Sequence, residues 1–150
     1  MSHRTRNWLA VVVALGACAR APAAPHPLVG AWERIALTEP GEPPQSPMHT
    51  SFLIFSPDGF YSATNMDRGR PKLDRPTAEL SRDELLARFA SVVARRGRYT
   101  VSGDTVTRHI DAHSEPSLEG LADREAFSWR GDTLVLAGAA GREARYVRAH

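Results

Sequence analysis

Residues 51–64 read SFLIFSPDGFYSAT, in which two short apolar runs are separated by the tetrapeptide Ser56-Pro57-Asp58-Gly59. Pro and Gly in such a four-residue segment are typical of a tight turn, because Pro presets φ and Gly accepts a positive φ. The flanking runs are rich in aromatic and aliphatic residues, as β-strands are. We therefore predict that the two runs pair as an antiparallel hairpin.

Two further hairpins are indicated downstream by a shared Gly-Asp pair. It occurs in SGDT at residues 102–105 and in RGDT at residues 130–133. Arg-Gly-Asp also matches an adhesion tripeptide, but Gly-Asp in a tight turn is what a hairpin requires, and we favour the turn. If both are two-residue turns, the opposed pairs are Val101 with Val106 and Trp129 with Leu134.

This register places apolar side chains on one face of each hairpin, which should be the face that points into a core. A first strand is expected from residue 28, and a last strand at Tyr146 and Val147. The apolar faces comprise Tyr99, Val101, Val106 and Ile110 in one hairpin and Phe127, Trp129, Leu134 and Leu136 in the other.

One helix is expected after the third strand, near residues 81–96. Ser81 and Glu84 form a capping-box pattern, in which each side chain accepts a hydrogen bond from a backbone N–H of the first turn. Gly97 stands where a helix would end. We expect the apolar face to pack against the flank or an open end of a sheet. Its members are Leu85, Phe89 and Val92, with Leu86 and Val93 beside them.

The count of about eight strands in up-and-down order predicts the fold class. It is an all-β, eight-stranded antiparallel barrel with one inserted α-helix, formed by a single domain at residues 28–150. Such a barrel has an interior that side chains fill or that holds one small ligand. The alternative is an open meander with the helix packed across it.

The N-terminal segment predicts export. Residues 1–17 contain basic residues, an apolar run too short to span a bilayer, and then small residues, which is the order of a signal peptide. Leu15-Gly16-Ala17-Cys18 resembles the lipobox of bacterial lipoproteins, which implies cleavage before Cys18 and acylation of its thiol and new amine. The alternative is an ordinary signal cleaved after Ala23, which would give a soluble periplasmic or secreted protein.

Residues 18–27 are rich in Pro and Ala and should form an extended tether. Several acyl chains on Cys18 would hold the protein stably on a membrane. Ala19, rather than an aspartate, follows the cysteine, which indicates the outer membrane, facing the periplasm, if the organism has one. We therefore predict a membrane-anchored protein of the bacterial envelope.

Charge composition argues against nucleic-acid binding. Once Arg4 and Arg6 are set aside with the leader, the 19 Lys and Arg residues fall to 17, which equals the 17 Asp and Glu residues. Without a basic surplus, the counterion release that drives nucleic-acid binding is missing.

The alternating residues Thr107, His109, Asp111 and His113 form the most polar strand face. They have the residue types of a metal site or of a His-Asp pair for acid–base chemistry. The face lies opposite the apolar one, so a solvated exterior explains it, and we predict no metal site, catalytic residue or cofactor. If the face turned inward, His109 and Arg98 would suit a carboxylate head group.

Four segments in register resemble the bacterial lipocalin-like domain family. They are LVGAW at 28–32, LIFSPDGF at 53–60, the stretch from Phe89 to Tyr99, and VTRH at 106–109. The resemblance implies a calycin-type barrel with a capacity for a small apolar ligand. It also implies that the tryptophan of the Gly-x-Trp pattern, Trp32, closes the base of the barrel. An arginine of the last strand, either Arg145 or Arg148, would stack on that ring.

The chain departs from the family pattern in two places. Arg108 stands where a histidine is frequent, and Val92, Arg95 and Arg96 stand where aromatic residues are frequent. Both departures leave the polarity of the pocket open.

From these features we predict a membrane-tethered, lipocalin-like protein that binds a small hydrophobic molecule. Two alternatives stay open: an isomerase or cyclase in which His109 or Tyr99 shuttles a proton, and an interaction lipoprotein whose barrel is filled. The alternation of side chains along a strand shows which residues share a face, but not which face points inward. The predicted ligand-binding residues therefore come from both strand faces. They are Trp32, Phe52, Ile54, Tyr61, Tyr99, His109, Phe127, Trp129 and Leu136.

Overall fold

The computed structural model describes residues 26–43, 49–70 and 75–150. The predicted signal peptide, the lipobox ending at Cys18 and the predicted tether up to residue 25 lie outside the described residues.

Within this part of the chain, eight antiparallel strands form a closed barrel, in which β1 also pairs with β8. The closure confirms the predicted up-and-down barrel and excludes the open meander. A helix, α1 (Arg82–Ala90), lies between β3 and β4. The strands are β1 (Gly30–Thr38), β2 (His49–Phe55), β3 (Phe60–Asp67), β4 (Val92–Ser102), β5 (Thr105–His113), β6 (Ala122–Arg130), β7 (Thr133–Ala137) and β8 (Glu143–Arg148).

The hairpin registers confirm the sequence prediction. Gly103 and Gly131 each have a φ of 60°, a left-handed conformation that Gly adopts without steric cost. Both Gly-Asp pairs are therefore two-residue turns. The opposed pairs are Val101 with Val106 and Trp129 with Leu134.

Helix α1 begins as predicted but ends earlier. The hydroxyl of Ser81 accepts a hydrogen bond from the backbone N–H of Glu84, whose carboxylate accepts one from the backbone N–H of Ser81. These hydrogen bonds lower the pKa of Glu84. The residues from Val92 onward pair with β3 and β5 instead of continuing the helix. Strand pairing in the closed barrel thus overrides the local helical pattern.

The apolar face of α1 was expected to pack against the flank or an open end of a sheet. The helix lies at one end of the barrel, but its apolar face is not buried there. No residue of the helix is buried, and the Phe89 side chain is 62% exposed. The helix is only nine residues long, and the strand that follows it turns away into the barrel wall. The apolar side chains of α1 therefore lie on the protein surface, at the end of the barrel where β4 begins.

Gly97 lies at a β-bulge between β4 and β5 and does not end the helix. The β4–β5 register shifts between Arg96 and Gly97, and Asp111 is the extra residue on β5. A Cβ atom on Gly97 would lie 1.8 Å from the backbone oxygen of His109, so the two strands approach too closely for a side chain. The bulge also reverses the alternation of β5, which turns His113 toward the interior.

The two ends of the barrel differ. The tight turns of the β2–β3, β4–β5 and β6–β7 hairpins lie at one end of the barrel, which we call the closed end. The start of β1 and the end of β8 lie at the same end. The longer connections and α1 lie at the other, the open end. The apolar core fills the half of the barrel nearer the closed end. Its most buried members are Leu28, Trp32, Leu53, Phe55, Val106, Leu134 and Leu136.

In residues 26–43, 49–70 and 75–150, no helix is long and apolar enough to cross a bilayer.

Candidate functional site

A cavity of about 260 Å³ lies inside the barrel, between the apolar core and the open end. Taking about 30 Å³ for each molecule of liquid water, its volume equals that of roughly nine waters. Leu53, Leu136 and Ala144 form an apolar part of its wall. The polar part consists of arginine, tyrosine and carboxylate side chains together with Ser51, Asn65 and His113. The barrel is thus not completely filled by its own side chains.

Arg108 provides the most buried charge of the cavity wall, with 2% of the residue exposed. It projects inward because it lies on β5 between the buried residues Val106 and Ile110. Its guanidinium forms an ion pair with Glu125 and lies 3.7 Å from the carboxylate of Asp123, which also pairs with Arg95. These four side chains form a charged network, of which Arg95, Arg108 and Glu125 line the cavity.

Arg34 is 6% exposed and also lines the cavity. On β1 it lies directly opposite Tyr146 of β8. Its buried Nε atom has no hydrogen-bond partner, and no carboxylate of the described residues forms an ion pair with it. A buried arginine is normally paired, so this unpaired cation is the most unusual feature of the interior.

Two inward-facing tyrosines add hydroxyl groups to the interior. Burial raises the pKa of Tyr146, although the nearby guanidinium groups of Arg108 and Arg34 partly oppose the effect. Burial also raises the pKa of Tyr61, whose hydroxyl has no hydrogen-bond partner. Both phenols therefore stay neutral near pH 7 and can donate hydrogen bonds.

A second space of about 300 Å³ lies next to the cavity at the open end, and we call it the vestibule. Arg34, Asn65, Val93 and Arg142 line both spaces. The C-terminal residue of α1, Ala90, lies on the vestibule wall. The cavity and the vestibule are therefore adjacent, and the side chains that they share lie between the cavity and the open end.

The closed end is sealed by Trp32. The ring is buried, and its Nε1 donates a hydrogen bond of 2.8 Å to the carbonyl oxygen of Leu28. The Trp129 ring packs on it with the centroids 5.6 Å apart. Arg148 stacks on Trp32, while Arg145 lies near Glu143, so Arg148 is the stacking arginine of the last strand.

The predicted ligand-binding residues fall into three groups. Leu136 lines the cavity, and Tyr61 points into the same interior. Four others belong to the closed end: Trp32, Tyr99, Phe127 and Trp129. Phe52, Ile54 and His109 are exposed on the outer surface of the barrel. The last three cannot line the interior, because their strand neighbours Leu53, Phe55, Arg108 and Ile110 take the inward positions.

The placement of His109 and Tyr99 also corrects the proton-shuttle hypothesis. His109 points outward, and the Tyr99 hydroxyl donates a hydrogen bond of 2.8 Å to the backbone oxygen of Ser56 at the closed end. Neither residue lines the cavity. The bulge turns His109 and His113 to opposite sides of the barrel wall, so the polar side chains predicted to share one strand face do not lie together. The described residues contain no cluster of three metal-ligand side chains.

The sequence interpretation did not predict the charged lining of the cavity, although it noted Arg95 and Arg108 as departures from the family pattern that leave the polarity of the pocket open. Arg34 and Arg108 carried a signal, because each is two residues from an inward apolar residue on the same strand, Trp32 and Val106. Arg95 was hidden by its assignment to a helix. Glu125 could have been predicted to point inward, because it lies two residues before Phe127 on β6 and Phe127 packs against the core.

Comparisons with known proteins agree with the barrel. The model of the lipocalin-like domain family matches residues 29–145. A solved lipocalin-like protein from Bacteroides uniformis ATCC 8492 has 14% identity and a TM-score of 0.53, covering 83% of this chain and 100% of its own. An uncharacterized protein from Bacteroides eggerthii DSM 20697 has 10% identity and a TM-score of 0.52, covering 81% and 99%. None of the curated proteins matches the chain.

Proposed function

The chain belongs to the lipocalin-like domain family, and from this premise we propose that its barrel binds a small hydrophobic molecule that enters through the open end. The observation that carries the proposal is the cavity of about 260 Å³ inside a closed barrel, which shares four wall residues with the vestibule at the open end. Ligand pockets usually measure about 300–1,000 Å³, a range that the cavity and vestibule together reach.

Apolar contacts for such a molecule are available in both spaces. Leu53, Leu136 and Ala144 lie on the cavity wall, and Leu37 and Val93 lie on the vestibule wall. Burial of apolar ligand surface against them contributes about 25 cal/mol for each Å² removed from water. The Arg and Tyr side chains of the cavity would contact the polar end of the same molecule.

Native mass spectrometry of the purified protein tests this proposal. The Cys18→Ser form avoids the need for detergent, and we expect a discrete added mass, either from expression or after incubation with apolar compounds, that is lost on unfolding. Ala144→Phe should abolish the adduct, because Ala144 lines the cavity and the larger ring would fill it. Ala126→Phe is the matched control, since Ala126 is exposed on the outside. A folded protein that never carries an adduct would contradict the proposal.

We also propose that acylated Cys18 anchors the barrel to a membrane of the bacterial envelope, through the Pro- and Ala-rich segment at residues 18–27. The lipobox-like sequence Leu15-Gly16-Ala17-Cys18 supports this proposal. Metabolic labelling with radioactive palmitate should label the wild type in the membrane fraction. Cys18→Ser should be unlabelled and soluble. A wild type that is equally soluble and unlabelled would exclude the anchor.

A further inference from the structure

We propose that the cavity binds a carboxylate, the anionic end of the small hydrophobic molecule, and that Arg34 forms the ion pair with it. This inference rests on the proposed function, because it identifies the polar group of the ligand that the barrel would hold.

The charge balance of the cavity provides the first argument. Four arginines line the cavity, and one of them, Arg142, pairs with Glu39. The other three, Arg34, Arg95 and Arg108, face two carboxylates, those of Glu125 in the cavity wall and of Asp123 beside it. Both carboxylates are engaged by Arg95 and Arg108. One positive charge, on Arg34, is left without a counter-ion from the described residues, and a monoanion would neutralise it.

The hydrogen-bond inventory provides the second argument. The buried Nε atoms of Arg34, Arg95 and Arg108 and the hydroxyl of Tyr61 all lack a partner. Arginine nitrogens can only donate, so the interior has more donors than acceptors. A carboxylate supplies two acceptor oxygens and no donor, and it can bind a guanidinium through two parallel hydrogen bonds.

The position of Arg34 provides the third argument. It lines both the cavity and the vestibule, so an anion paired with it can be reached from the open end. Tyr146 lies opposite on β8 and presents a neutral phenol to the same space. Arg142, the other arginine shared by both spaces, pairs with Glu39 at 3.2 Å. Arg34 is therefore the free cation of this entrance, among the residues that the structure describes.

The test compares ligands that differ only in the charged group. Isothermal titration calorimetry would measure binding of hexanoate, decanoate and tetradecanoate, the matching alcohols, and decyl phosphate. The variants are Arg34→Met, which removes the charge at similar length, and Arg96→Met as the control. Arg96 is exposed on the outer face of β4 and makes no contact with the cavity. Circular dichroism and a thermal melt would show that each variant is folded.

We expect at least one carboxylate to bind tenfold or more tightly than its alcohol. Arg34→Met should weaken carboxylate binding by tenfold or more and leave alcohol binding within twofold, and Arg96→Met should behave as wild type. If carboxylate and alcohol bind equally, or if Arg34→Met changes neither, the inference fails and the proposed function stands. If decyl phosphate binds more tightly than decanoate, the carboxylate assignment is wrong. If no acid or alcohol binds, the carboxylate inference fails, and the native mass spectra decide separately whether the proposed function stands.

Discussion

The guanidinium of Arg148 lies over the ring of Trp32, with its central carbon 4.2 Å from the ring centroid. The same group donates hydrogen bonds to the carbonyl oxygens of Val29 at 2.7 Å and Pro27 at 3.0 Å. A single side chain of the last strand therefore fixes both the first-strand tryptophan and the chain that leads into it, and so closes the base of the barrel.

Arg148→Gln should destabilise the protein by about 1–2 kcal/mol, because it removes a cation–π contact and two charge-assisted hydrogen bonds at a partly exposed site. Urea denaturation would measure the change. Arg145→Gln is the matched control on the same strand. Among the described residues, its one ion pair is with Glu143 at 3.8 Å, so we expect a change within about 0.5 kcal/mol. Equal effects of the two substitutions would contradict the special role of Arg148.

Gly30→Ala should be destabilising for two separable reasons. Gly30 has a φ of 137°, which L side chains rarely adopt, and a Cβ atom would lie 2.0 Å from a guanidinium nitrogen of Arg148. We expect the free energy of unfolding, measured by urea denaturation, to fall by about 2–3 kcal/mol. In an Arg148→Ala background the steric part disappears, so Gly30→Ala should cost less there. An unchanged cost would assign the whole effect to backbone strain.

Gly97→Ala should destabilise the barrel by about 3 kcal/mol, because the new methyl group would meet the backbone oxygen of His109 and neither strand can move without breaking the bulge. Thermal unfolding followed by circular dichroism would measure it. Gly69→Ala is a suitable control, because nothing lies within 4 Å of the position of its Cβ atom. A Gly97→Ala protein as stable as that control would mean that the strands adjust freely.

Most of the fold could be predicted because its signals are local. The turn at Ser56–Gly59 and the two Gly-Asp pairs fix three hairpins, and the spacing of apolar residues fixes which side chains share a face. The end of α1 could not be predicted in this way. Residues 92–96 form a strand because β3 and β5 pair with them, and such distant partners are not encoded in the local pattern.

The site was harder to predict than the fold, for a physical reason. Charged residues on a strand are normally solvated, so Arg34 was not named as an interior residue, and Arg108 was noted only as a departure from the family pattern. Strand parity nevertheless requires it, because Trp32 and Arg34 share one face, as do Val106 and Arg108. The bulge at Asp111 then moves His113 to the interior, and a bulge has no sequence signal as clear as that of a turn.

The three tyrosines should ionise late in the folded protein. Burial raises the pKa of Tyr61, Tyr99 and Tyr146, which are all the tyrosines of the chain. Their contribution to stability is fully present below the unfolded pKa of about 10 and is lost as the pH rises toward the folded values. Absorbance at 295 nm should therefore rise at higher pH in the native protein than in guanidinium chloride. Coincident titration curves would contradict the burial of these phenols.

Glu125→Gln should lower stability and raise carboxylate affinity together. The substitution removes the closest counter-ion of Arg108, which is 2% exposed, and leaves only Asp123 at 3.7 Å. Breaking this pair should cost about 3 kcal/mol in urea denaturation, at the lower end for a buried pair because the Glu125 side chain is partly exposed. The cavity then carries two unbalanced positive charges instead of one, so decanoate should bind roughly threefold or more tightly in calorimetry.

The combination of lower stability and tighter decanoate binding distinguishes an effect of cavity charge from an effect of cavity shape. Gln has nearly the same size as Glu, so the volume and the apolar wall of the cavity should stay the same, and only the electrostatics change. Ser128→Ala, an exposed substitution on the same strand, is the control and should alter neither quantity. If Glu125→Gln weakened decanoate binding as well as stability, Glu125 would maintain the shape of the site, and the excess charge on Arg34 would not explain recognition of the anion.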